Sequence, residues 1–78
     1  MILKIYSIYD KVTGQFANPF YQLNDGSAER FFINLSNYGD NKTVSADWQL
    51  YYLGTFNVDT GDINSVKPEF VRGAVENE

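Results

Sequence analysis

The chain has 78 residues, 44% of them apolar and 17% aromatic, with neither cysteine nor histidine and a net charge of -4. A domain this small buries only about 60% of the surface its unfolded chain exposes, no disulfide can add to its stability, and the usual zinc ligands are missing. The negative balance argues against a protein that holds phosphates by charge alone, the short apolar runs argue against a membrane span, and Lys4 directly after Met1-Ile2-Leu3 argues against a signal peptide.

The whole chain, residues 1–78, therefore reads as a single soluble, intracellular domain, with self-association as a source of extra stability. Its opening segment "ILKIYSIYD" is rich in β-branched and aromatic residues and stops at the Gly-containing turn "DKVTG", which predicts a strand from Ile2 to about Asp10. "QFANPFYQL", Gln15 to Leu23, predicts a second strand forming a hairpin with the first; Pro19 removes one ladder donor and calls for an edge position or a bulge. Ala28, Phe31, Phe32 and Leu35 then fall at helical spacing, so a helix is expected from about Ser27 to Asn37, capped by Asp25 or Ser27 and closed near Gly39. The polar segment 40–46 predicts a loop. Trp48 to Phe56, the turn "NVDTGD" and "INSV" predict a second hairpin. The folded core is expected to end near residue 67, leaving 68–78 as a solvated acidic tail. The order ββαββ predicts an α+β fold: a small two-layer domain with one helix packed on an antiparallel sheet of about four strands.

Strand alternation sharpens this. Trp48, Leu50, Tyr52, Gly54 and Phe56 share one face, expected to be the core, and Tyr51 and Leu53 lie on the other. In the first strand Leu3, Ile5, Ser7 and Tyr9 oppose Lys4, Tyr6, Ile8 and Asp10, and the charges place the second set outside. The resulting outer face of Tyr6, Ile8, Tyr51 and Leu53 is more apolar than a monomer normally shows, so a partner is expected there.

Enzymatic chemistry has little to draw on. Without histidine or cysteine it would rest on carboxylates that are mostly single and in predicted loops, and the glycines are too scattered to cradle phosphate. Asn57 to Asp62 resembles the start of a calcium loop, but Pro68 stands where that loop needs its bidentate glutamate, and a hairpin turn explains the segment better. No catalytic residue, metal ligand or cofactor is expected.

The succession "YSIYD" (6–10), "NPF" (18–20), "ERFF" (29–32) and "DWQLYYLGTFNVDTG" (47–61) resembles the small non-structural protein of the gokushovirus branch of microviruses, tailless phages with circular single-stranded DNA. The most specific part is Asp47, Trp48, Leu50, Tyr51, Leu53, Gly54 and Phe56 followed by Thr60-Gly61. This resemblance implies a non-enzymatic, replication-stage protein in the host bacterial cytoplasm, acting in single-strand synthesis or packaging, and it carries no catalytic residues with it.

Two classes of function follow. In the first, single-stranded DNA stacks its bases on outward aromatics while a few cations track the backbone, with Tyr6, Tyr51, Lys4 and Arg30 as the candidate contacts. In the second, the chain is an adaptor without direct DNA contact, binding the phage replication initiator or a host replication factor, and its acidic charge suits a basic partner. A homodimer or higher oligomer is compatible with both.

Overall fold

The computed structural model describes residues 1–36 and 46–73. Strands β1 (Ile2–Asp10), β2 (Gln15–Phe16) and β3 (Phe20–Gln22) precede helix α1 (Asp25–Ser36), and β4 (Trp48–Asn57) and β5 (Ile63–Gly73) follow it. One helix on one face of an antiparallel sheet is the α+β arrangement expected, but the order is βββαββ. The expected second strand splits at Ala17 to Pro19, and both pieces pair with β1: Phe16 opposite Tyr9, Phe20 opposite Tyr6. Three steps along β1 thus match four along the partner. The break is stitched by Ala17 N–H donating to the Ile8 carbonyl at 2.8 Å and by Ser7 Oγ donating to the Ala17 carbonyl at 2.6 Å, which satisfies a hydroxyl that is 0% exposed.

Helix α1 begins because Asn24 caps it. The Asn24 side-chain oxygen accepts the Ser27 N–H at 2.8 Å, and its carbonyl accepts the Ala28 N–H at 3.1 Å, the first helical bond. The cap is therefore one residue before the expected Asp25, and the helix starts two residues before Ser27. The expected stop at Gly39 and most of the loop at 40–46 lie outside the described residues.

In the sheet β1 and β4 run side by side along their full lengths, with β2 and β3 on the outer side of β1 and β5 on the outer side of β4. Ala28 and Phe32, four residues apart on α1, press onto Tyr6, Ile8 and Leu50 of the sheet, and Phe20, Ile33, Trp48, Tyr52 and Val71 ring this core. The alternation in β1 is as expected but its sides are reversed: Tyr6, at 0% exposure, and Ile8 lie under the helix, and Leu3, Ile5, Ser7 and Tyr9 face away from it. Lys4 and Asp10 stand near the strand's two ends, so they reach solvent past the short helix while the residues between them are covered. Charges at strand ends do not report which face is covered at the middle.

In β4 the pairing jumps from Tyr6–Tyr52 to Ile5–Gly54, and Leu53 drops out of register. Beyond this bulge the faces exchange, so Trp48, Leu50 and Tyr52 share the core side as expected, whereas Gly54 and Phe56 join Tyr51 on the other. Val66 to Pro68 of β5 leave the ladder at the same level, where Pro68 has no N–H to give. β5 then resumes and runs to Gly73, six residues past the expected end of the core. Val71 packs on that core, so the segment read as tail is structural as far as Gly73. Residues 74–78 lie outside the described residues. Among the described residues no helix is long and apolar enough to cross a membrane.

Candidate functional site

The sheet presents two unlike sides. Beside the helix, Tyr6 O–H donates to Asp25 Oδ1, Lys4 Nζ lies 3.8 Å from the same carboxylate and 5.6 Å from the centre of the Tyr52 ring, and Arg72 lies 3.8 Å from Glu29. Burial, reinforced by the bond to Asp25 and that residue's negative charge, pushes the Tyr6 phenol well above its ordinary pKa. A cavity of about 350 Å³ opens here, bordered by Asp25, Glu29 and Glu69 with Lys4 as its cation. Three carboxylates against one ammonium make a poor seat for phosphate.

The opposite side carries no helix among the described residues and is aromatic. Tyr51 is its hub, with ring centres 5.8 Å from Tyr9, 5.4 Å from Phe16 and 5.8 Å from Phe70, all met edge to face, and Tyr9 and Phe16 sit 4.8 Å apart. Further along, Tyr21 and Phe56 form a second group at 5.7 Å. The register explains the gathering: Tyr9 faces Phe16 across β1 and β2, Tyr51 faces Phe70 across β4 and β5, and Ile5 lies between Tyr21 and Gly54. The rings support one another edge-on around Tyr51 and tilted at Tyr9–Phe16 and Tyr21–Phe56, and part of the surface stays open, with Phe70 54% exposed, Tyr21 48% and Phe16 44%. A planar, π-faced ligand or another apolar surface can be received here.

The expected site residues do not converge. Tyr51 is the aromatic hub. Lys4 and Tyr6 come together around Asp25 on the helix side, and Arg30 is exposed on the helix itself. Tyr6 is corrected outright as an outward contact: its ring is fully buried in the core with Ala28 and Phe32 of the helix and against Phe20 and Tyr52, so no base can stack on it. Tyr9, Phe16 and Phe70, which complete the hub around Tyr51, were missed. Phe16 follows from Tyr9 once the hairpin register is set, whereas Phe70 lay in a segment whose single apolar residues among charges resemble a solvated tail. Among the described residues no group of carboxylates is arranged to hold a metal ion.

A family model described as Phage ORF5 protein matches residues 3–77. The chain belongs to this phage protein family. The match covers the whole described sheet beyond Ile2 and the helix, and so includes both the aromatic side and the β5 segment that carries Phe70. No curated protein matches the chain, and no solved structure does.

Proposed function

We propose that this Phage ORF5 family member is a non-enzymatic accessory protein of a gokushovirus-type microvirus, acting in the host bacterial cytoplasm during replication or packaging of single-stranded DNA. It holds the strand by stacking bases on the aromatic side of the sheet. The observation that carries this reading is the open cluster of Tyr9, Phe16, Tyr51 and Phe70 on the face that the helix leaves bare. Each base stacked on such a ring contributes about 1–3 kcal/mol without regard to sequence, so two or three platforms suffice for useful affinity with little help from charge. Charge has little help to offer: Lys4 and Arg72 are engaged with carboxylates beside the helix, and the other cations among the described residues are the exposed Lys11 in the turn after β1, Arg30 on α1 and Lys67 in β5. Binding should accordingly be only weakly salt-dependent.

The same distribution of cations favours a second reading, in which the aromatic side meets protein: a phage or host replication factor, or a second copy of the chain. Fluorescence anisotropy with labelled oligo(dT) at low salt, run beside sedimentation of the free protein, separates the two. Saturable binding by a monomer, weakened by Phe70→Ala, supports stacking. A stable dimer that Phe70→Ala dissociates, with no DNA binding, replaces it with the protein reading.

A further inference from the structure

A second recess borders the aromatic hub through Phe16, at the end of the sheet beside the last described turn of α1. It holds about 310 Å³; Ile8, Phe16, Ala17, Leu35 and Trp48 give it a mainly apolar lining, and Asp10, Thr13 and Gln15 add the polar groups. That is near the low end for a ligand site, about 300 Å³, so it accepts one bulky side chain and not an extended ligand. Its walls are largely apolar, and its surroundings are electrically negative for two independent reasons. Asp10 uses Oδ1 to accept the Val12 N–H at 2.9 Å, and its other oxygen has no partner among the described residues. Leu35 belongs to the last described turn of α1, which holds no basic residue, so within that turn no side chain compensates the partial negative charge at the helix C-terminal end.

An apolar socket under a negative rim selects its occupant. A nucleic acid would bring phosphates against Asp10 and the helix end, and an acidic segment would be repelled in the same way. We infer that this recess is a docking socket for a protein segment that inserts one large apolar side chain and carries an arginine or lysine beside it. The cation then sits against Asp10 and the end of α1 while the apolar group packs on Trp48 and Leu35. The recess shares Phe16 with the aromatic side, and its remaining apolar walls, Ile8, Leu35 and Trp48, belong to the helix side of the sheet.

Trp48 is the chain's sole tryptophan and forms part of the wall, so its emission reports occupancy directly. The probes are N-acetyl-Phe-Arg-amide and N-acetyl-Phe-Glu-amide, titrated into the full chain. A saturable change in Trp48 emission is expected, with the arginine probe preferred by about threefold to tenfold at low salt and the preference shrinking as salt is added. Asp10→Asn keeps an acceptor for Val12 N–H and should reduce the preference while leaving the apolar part of the binding. Leu35→Lys, at a position already 41% exposed, should abolish binding of the arginine probe with circular dichroism unchanged. Absence of a saturable change, or equal affinity for the two probes, overturns the inference. So does a change produced by oligo(dT) that Phe70→Ala leaves intact, which would assign the recess to nucleic acid.

Discussion

Replacing either of two glycines by alanine separates the packing of this sheet from the freedom of its backbone. Gly54 adopts φ +148° in β4, and a Cβ built there would lie 2.2 Å from the Asn64 carbonyl oxygen and 2.9 Å from Ser65 Cα, both in the backbone of β5. Backbone cannot swing aside as a side chain can. Gly54→Ala therefore carries the cost of an unfavourable φ, about 1–3 kcal/mol, and that of forcing two paired strands apart, about 1–3 kcal/mol more. The expected loss is about 2–6 kcal/mol. A domain of this length has a total stability of roughly 4–12 kcal/mol, so the variant should lose a large share of it and melt more than about 10 °C lower. Gly61 also has positive φ, +82°, but a Cβ there meets nothing within 4 Å, so Gly61→Ala should lose only about 1 kcal/mol. Urea unfolding followed by Trp48 fluorescence, with thermal melts by circular dichroism, measures both. Equal losses, or a Gly54→Ala effect within about 0.5 kcal/mol of wild type, would refute the close approach of β4 and β5 from which the faces of this sheet are read.

Leu50→Ala, which empties a site at 0% exposure beneath Phe32, should destabilise the domain by about 2–5 kcal/mol, whereas Tyr51→Ala should leave the fold in place and weaken oligo(dT) binding by about 1–3 kcal/mol. Denaturation and anisotropy on the two variants must give opposite rankings. The salt dependence of that binding should have a log-log slope between about -1 and -2, as two or so phosphate contacts require, and a much steeper slope would point to a cationic track elsewhere. Alkaline titration tests the buried phenol. Because the folded chain holds the Tyr6 pKa above the ordinary value near 10, this group's contribution is fully present below pH 10 and is lost as pH rises toward the folded value. Tyr6→Phe should flatten the stability profile above pH 10, at a cost of about 0.5–1.5 kcal/mol at neutral pH for the lost bond to Asp25, and an unchanged alkaline limb would refute the assignment.

Periodicity made the elements legible. The strands Ile2–Asp10 and Trp48–Asn57, the helical stretch from Ala28 to Leu35 and the hairpin turn at Asn57 to Asp62 follow from apolar spacing and turn chemistry, and the turn forms with Asn57 accepting the Asp59 N–H at 2.9 Å; the split of the second strand and the extension of β5 to Gly73 do not. What alternation could not supply was the side. Period two states that Tyr6 and Ser7 point in opposite directions, but which of them lies beneath the helix depends on where α1 docks, and Lys4 and Asp10 pointed the wrong way because they flank its footprint. The bulge at Leu53 was hidden for a related reason: no residue in "YYLGTF" breaks the β pattern, and only the close approach at Gly54 marks where the faces exchange. The aromatic hub was half visible for the same cause. Tyr51 follows from its own strand, but Phe16 and Phe70 join it through register between strands, which one strand's pattern does not contain.

The most direct test of the account is a titration of oligo(dT) into the protein at low salt, observed on the aromatic ring resonances by NMR. The account predicts saturable shifts for Tyr9, Phe16, Tyr51 and Phe70 on the open side, with Tyr6 and Phe32 beneath the helix unmoved. Shifts confined to the helix side around Lys4, Tyr52 and Arg72, or no shift at any ring, would contradict it.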